Sequence, residues 1–122
     1  MTNEANKAIA AFLNKNDILA IDNEADGSEN YPYAVVSSSR LNINDNISNW
    51  LLEINVWDKN KHYSRVETIA DEIENLLDFV QLKSEKNLLC IFKGSKDNIT
   101  DSDPAIKRVR IQLDLKIYES ET

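Results

Sequence analysis

The segment RVRIQLDLKIY, residues 108–118, is the strongest indication of the fold of this chain. Polar and apolar side chains alternate along it without a break. This period of two is typical of a strand with one buried face, because successive side chains of a strand point to opposite sides of the sheet. The sequence therefore predicts a long antiparallel strand. Its inward residues are Val109, Ile111, Leu113, Leu115 and Ile117, and its outward residues are Arg108, Arg110, Gln112, Asp114 and Lys116.

Three other stretches favour strands. Tyr31-Pro32-Tyr33-Ala34-Val35-Val36 is aromatic and β-branched, and its proline suits the first residue of a strand or an edge position. Between Asn49 and Trp57 the residues alternate, with Trp50, Leu52, Ile54 and Val56 on one face. The short apolar run Leu88–Phe92 predicts a more fully buried strand.

Two stretches have helical spacing. Near the N-terminus the apolar positions are Ala5, Ala8, Ile9, Phe12 and Leu13, and Glu4 is placed in the first turn. The second stretch begins with Ser64-Arg65-Val66-Glu67, which has the form of a capping box. Its apolar stripe is Val66, Ile69, Ala70, Ile73, Leu76, Leu77 and Val80, and the acids Glu67, Asp71, Glu72 and Glu74 are predicted to lie outside the stripe.

The order of these elements is helix, two strands, helix, two strands. It predicts an α+β fold: a largely antiparallel four-stranded sheet with two helices packed on one face. The whole chain, 1–122, is expected to be a single domain. The polar stretch from Gly94 to Pro104 is expected to be a mobile loop between the last two strands.

Composition narrows the classes of partner. Hydrophobic residues make up 42% of the chain and charged residues 29%, as in globular domains, and the formal net charge is −7. Such a field repels nucleic acid and anionic lipid and favours basic surfaces on other proteins. No apolar run approaches transmembrane length, and Met1 to Leu13 lacks the pattern of a signal peptide. The single cysteine, Cys90, forms no internal disulfide, which fits an intracellular protein.

The residues that usually carry catalysis are scarce. The one histidine, His62, is placed in a turn, and Cys90 in an apolar strand where a thiolate is disfavoured. Gly27 and Gly94 alone cannot form a phosphate-binding loop. Asp22 to Gly27 resembles the first half of a calcium loop, but Tyr33 stands where the bidentate glutamate belongs. We therefore expect no catalytic residue, no cofactor and no metal site, and a protein that is not an enzyme.

Signals for a protein interface are stronger. Trp57 has the parity opposite to the buried Trp50, so it is predicted to project from the less buried face. Trp57, Tyr31 and Tyr33 either cover a sheet edge or contact a partner, since aromatic residues are enriched in binding hot spots. Arg108 and Arg110 are outward cations that either are solvated, which is the default, or meet a neighbour's carboxylates. Glu67, Asp71 and Glu74 are expected to form a solvated face, although copies of one chain could pair them with these arginines. Asp97, Asp101 and Asp103 are solvated, gather a cation, or contact a partner.

On these stretches the chain resembles the tail-terminator, or tail-completion, proteins of long-tailed bacteriophages and prophages. The resemblance rests on element order from about Ala5 onward, on Tyr31 to Val36, on the strand Leu52 to Val56 that ends in Trp57, on the helix, and on the alternating strand Val109 to Ile117. It implies a non-enzymatic ring, commonly of six subunits, that caps the tail tube and joins it to the head. It further implies that Ser95 to Asp103 orders against a neighbour or a partner during assembly.

The leading hypothesis is therefore a virion assembly protein. Its partners would be copies of itself, the tail-tube protein and the head–tail connector proteins. It would be located in the virion tail and, during assembly, in the cytoplasm of the bacterial host. The alternative is a small acidic binding protein, such as an immunity protein or a nucleic-acid mimic, that blocks a basic partner.

Overall fold

A computed structural model describes residues 2–22, 30–44, 46–84 and 87–119 as two helices and one six-stranded sheet. The helices are α1 (Thr2–Lys15) and α2 (Ser64–Leu77). The strands are β1 (Ala20–Asp22), β2 (Tyr33–Asn44), β3 (Ile47–Lys59), β4 (Gln81–Ser84), β5 (Asn87–Thr100) and β6 (Ile106–Glu119). The strand order is β1-β2-β3-β6-β5-β4.

The predicted four-stranded antiparallel sheet is wrong. The sheet is mixed, because β1 runs parallel to β2 while the other neighbours are antiparallel, and it curls into a half-barrel that is mostly β, with 56% strand. The two missed strands are the edges, and each is too short to show a periodic pattern. Ala20–Asp22 is a strand because it pairs with Ala34, Val35 and Val36. Gln81–Ser84 is a strand because it pairs with residues 87–90.

The centre of the sheet follows the alternation in the sequence. In β3 and β6 the predicted inward residues are buried, and the register places Ile54 opposite Ile111 and Leu52 opposite Leu113. These pairs lie on one face and belong to one core with the apolar residues of both helices. Burial of such side chains stabilises the fold by about 1.5–3 kcal/mol each.

Helix α1 packs against both edges of the sheet. It contacts β1 and β2 at one edge and β4 at the other, so the sheet must curl to bring its edges to the same helix. The predicted stripe on this helix is confirmed: Ala5, Ile9 and Leu13 are buried, and Ala8 and Phe12 pack against the core. α1 therefore fills the opening that the curl leaves between β1 and β4.

Helix α2 crosses the middle strands β3, β6 and β5. Its predicted stripe is confirmed, with Val66, Ala70, Ile73 and Leu77 fully buried. The predicted capping box is wrong, because Ser64 is already the first helical residue and the preceding Tyr63 makes no side-chain cap hydrogen bond. Glu74, predicted to lie outside the stripe, is buried. Its carboxylate is 2.9 Å from the Lys96 ammonium of β5, and this ion pair offsets the free-energy cost of burying the charge.

Strand β5 continues to Thr100, so the predicted loop 94–104 is wrong for residues 94–100. Only residues 101–105 connect β5 to β6, and the Ile106 amide closes this turn on the Asp103 carbonyl at 3.0 Å. The register of β5 against β6 shifts between Phe92 and Ser95, which marks a β-bulge at Gly94. A Cβ at Gly94 would lie 2.2 Å from the Gln112 carbonyl oxygen, so only glycine allows this close approach.

Candidate interaction surface

Aromatic, basic and aliphatic side chains form one row across the sheet face that is turned away from the helices. Pairing aligns Tyr33 of β2, Trp57 of β3, Arg108 of β6 and Ile99 of β5. The Arg108 guanidinium carbon lies 4.7 Å from the centroid of the Trp57 ring, a cation–π contact. The Tyr31 ring extends the row, since its centroid is 5.4 Å from that of Tyr33. We call the helix-free face of the sheet the outer face.

Apart from Val35, the next two rows of the outer face consist of polar side chains that hydrogen-bond to one another. Arg108 Nε donates to Asn55 Oδ1 at 2.9 Å, and Asn55 Nδ2 donates to Glu53 Oε2 at 3.0 Å. Arg110 Nη2 forms an ion pair with Asp97 Oδ2 at 3.0 Å. These contacts hold the arginine head groups in fixed positions on the surface, and a preorganised surface loses less side-chain entropy on binding.

The structure brings most of the predicted contact residues together. Those that share the outer face or its margin are Tyr31, Tyr33, Trp57, Arg108, Arg110 and Asp97. Asp101 and Asp103 lie apart, in the turn between β5 and β6. There their carboxylates accept the backbone amides of Asp103 and Ala105, both at 2.9 Å, so they shape the turn.

The acids of α2 have partners within the same chain. Lys96 of β5 pairs with Asp71 and with Glu74. The hydrogen bond to Asp71, and to a smaller extent the one to Glu74, raises the pKa of the Lys96 ammonium. Asn98 Nδ2 donates to Glu67 Oε2 at 3.1 Å. Pairing of these acids with Arg108 and Arg110 of another copy stays a prediction, and such pairs would compete with these contacts within the chain. The acids already bind β5, and the arginines already bind the outer face.

An ion pair at the end of β3, between the buried Asp58 and the exposed Arg65, was missed in the sequence. Asp58 is fully buried, and Arg65 of α2 binds its carboxylate through Nε at 2.9 Å and Nη2 at 2.5 Å. The hydrogen bond from Arg65, assisted by the Lys59 amide, holds the pKa of the Asp58 carboxyl below its ordinary value of 3.8. The alternation in the sequence does indicate that Asp58 is buried, because Asp58 takes the next inward position after Val56.

The groups weighed for chemistry lie apart from one another. His62 is exposed, and Cys90 is buried and free. Within residues 2–22, 30–44, 46–84 and 87–119 no three His, Cys, Asp or Glu side chains gather as metal ligands. Of the calcium-like stretch, the part from Asn23 to Gly27 lies outside the described residues. Neither described helix is long and apolar enough to cross a membrane.

The outer face also carries a shallow hollow of about 410 Å³ at the end opposite Trp57. Leu41 and Phe92 form its apolar walls, and Asn49, Asp114 and Lys116 add polar atoms. The hollow suits a protruding side chain of another protein more than an enclosed small molecule.

Comparison with known proteins gives a fold but no sequence family. No family model matches the chain, and no curated protein sequence matches it. A search of solved structures matches a chain of the virion of a native gene transfer agent particle, with a TM-score of 0.69 and 11% sequence identity. The match covers 94% of this chain and 87% of the other, so the two share essentially the whole fold.

Proposed function

We propose that this protein is a non-enzymatic virion assembly protein of the tail-terminator or tail-completion type. It forms a ring, commonly of six copies, at the head-proximal end of the tail and joins the tail to the head. Its partners are copies of itself, the tail-tube protein and the connector proteins, and it is located in the virion after assembly in the bacterial cytoplasm.

One observation carries this proposal: the fold match to a chain of a virion particle extends over 94% of the residues. The finer assignment to the tail end rests on the resemblance of the sequence to tail terminators. The outer face adds support, since its fixed aromatic and arginine side chains resemble the anchors of protein interfaces. The net charge of −7 favours basic protein surfaces as partners.

The direct test is negative-stain imaging of purified protein mixed with tail tubes that lack their terminator. We expect density at one end of the tubes, and rings in the protein alone at high concentration. Absence of both rings and binding to tubes or tail ends would contradict the proposal. A protein that stays monomeric and binds a basic partner one to one would instead indicate the small acidic binding protein.

Trp57→Ala tests the outer face within the same assay. Trp57 is half-buried at the surface, so its truncation should leave the circular dichroism spectrum intact. Binding to tube ends should weaken by about 2 kcal/mol, or roughly 30-fold, if Trp57 is an interface anchor. The matched control is His62→Ala, an exposed ring outside the outer face. Equal capping by the two variants would remove Trp57 from the interface.

A further inference from the structure

Phe79 combines an unfavourable backbone with an exposed ring. It follows the last residues of α2 with φ at 58°, the left-handed position at a helix end that glycine usually occupies. Phe79 is 74% exposed. Its ring packs edge-on against the ring of Phe92, with 5.8 Å between the centroids. A large apolar side chain at such a position gains little within the chain. Local strain combined with exposure is characteristic of residues that serve a contact.

The surroundings of Phe79 suit a partner that is both apolar and basic. Phe92 links it to the hollow on the outer face, where Asp114 is exposed and takes part in no ion pair in the part of the chain that the structure describes. Beside Phe79, the Asp78 Oδ1 atom is buried and lacks a hydrogen-bond partner among the described atoms. We call Phe79, Phe92 and Asp114 the aromatic patch.

The opposite edge of the sheet carries the complementary chemistry. β1 pairs with β2 only at Ala34 to Val36, so the end of β2, residues 39–44, extends beyond β1. This hairpin arm has the exposed Ile43, at 56%, and the exposed cation Arg40, which forms no ion pair with any described residue. It therefore offers an aliphatic side chain and a positive charge, where the aromatic patch offers rings and the carboxylate of Asp114, next to Lys116, whose ammonium lies 6.0 Å from the centroid of the Phe92 ring.

We propose that a second copy of this chain binds here, with the hairpin arm of one copy on the aromatic patch of the next. Ile43 packs against Phe79 and Phe92, and Arg40 pairs with Asp114. The two surfaces consist of different residues, so the contact is head-to-tail and closes into a ring or extends as a filament. This inference rests on the proposed function, because it names the contact by which the ring forms.

Two variants and their mixture test the contact by sedimentation velocity over a wide concentration range. Phe79→Gly and Ile43→Ser should each raise the dissociation constant for self-association at least about tenfold. Phe79→Gly should do so at an unchanged or higher Tm, because glycine accepts the left-handed backbone. Leu19→Ser, at an equally apolar exposed site outside both surfaces, is the control and should associate like the parent.

The mixture distinguishes a head-to-tail contact from a symmetric one. The Phe79→Gly copy keeps a good arm and the Ile43→Ser copy keeps a good patch, so the mixture should form dimers that grow no further. A parent protein that is monomeric throughout overturns the inference, as do variants that associate like the parent. If Phe79→Gly lowers only binding to tail tubes, the tube protein occupies the patch, and the second copy is excluded.

Charge exchange tests the polar half of the contact. Arg40→Glu and Asp114→Lys should each weaken self-association, and the double variant should recover it, because the pair is restored with opposite sense. A double variant no better than the single ones overturns the pairing. Normal self-association without capping of tails would contradict the proposed function and leave this contact standing. Capping of tails by variants whose self-association is unchanged would contradict this contact and leave the proposed function standing.

Discussion

At the end of β3, the carboxylate of Asp58 is fully buried, and its ionised form is stabilised by the Arg65 guanidinium. Because the folded pKa lies below the ordinary value of 3.8, folding favours the ionised form. The contribution to stability is therefore fully present above the unfolded pKa, and it is lost as the pH falls through the folded pKa. This carboxylate joins the end of β3 to the start of α2 through one ion pair.

Asp58→Asn keeps the shape and removes the charge. We expect the free energy of unfolding at neutral pH to fall by about 1–3 kcal/mol, since a buried hydrogen bond to a charged group is weakened. Below the folded pKa the variant and the parent should converge. Urea unfolding at a series of pH values measures both effects. Asp97→Asn, in an exposed ion pair, is the control and should cost about 1 kcal/mol or less. A pH-independent gap between Asp58→Asn and the parent would contradict the assignment.

At the scale of elements, the full length of β5 depends on its contacts with β6 and α2. Its first half is an apolar strand that the sequence predicts, while its second half has the polar composition of a loop. This second half is a strand because β6 pairs with it from Ser95 to Thr100 and because Lys96 and Asn98 bind the acids of α2. The bulge at Gly94 lets one strand serve both environments.

Gly94→Ala should destabilise the β5–β6 pairing. Its new methyl group would meet the Gln112 backbone at 2.2 Å, and a backbone atom cannot rotate away as a side chain can. We expect a loss of about 1–3 kcal/mol, the usual cost of overpacking. Thermal unfolding gives the magnitude, and amide exchange of residues 95–100 shows where the pairing weakens. Ser95→Ala, the neighbouring exposed position, should leave both unchanged. A Gly94→Ala protein with parental stability would show that the bulge tolerates a side chain.

At the scale of the whole molecule, two kinds of contact are expected to respond differently to salt. Binding to a basic tail or connector surface depends on the net charge of −7, which added salt screens. Self-association depends mainly on the apolar burial of Ile43 against the aromatic rings, which salt does not screen, and only in small part on the exposed Arg40–Asp114 pair. Binding to the tail and self-association are thus expected to separate experimentally.

Capping of tail tubes should therefore weaken as sodium chloride rises from about 0.05 to 0.5 M, because the Debye length falls below about 5 Å. Self-association should persist over the same range. Counting capped tube ends by negative stain and measuring sedimentation in matched buffers gives the two curves. Parallel loss of both would mean that charge, and not apolar packing, holds the copies together.

The parts of the fold that have a local periodic pattern can be predicted from the amino-acid sequence alone. The inward faces of β3 and β6 and the buried stripes of α1 and α2 follow from periods of 2 and 3.6, which need no knowledge of the partner. Side-chain parity also placed Trp57, Arg108 and Arg110 on one outer face. Their position on this face is predictable because each of these residues alternates with a buried neighbour along its strand.

The edges of the sheet and the partners of its charged residues depend on tertiary contacts. Ala20–Asp22 and Gln81–Ser84 are strands through hydrogen bonds to residues elsewhere in the chain. Lys96 meets Glu74, and Phe92 lies beside Phe79, because β5 runs under α2 and then past its end. Pairing across long sequence separations depends on the curl of the whole sheet, and no local period of the chain records it.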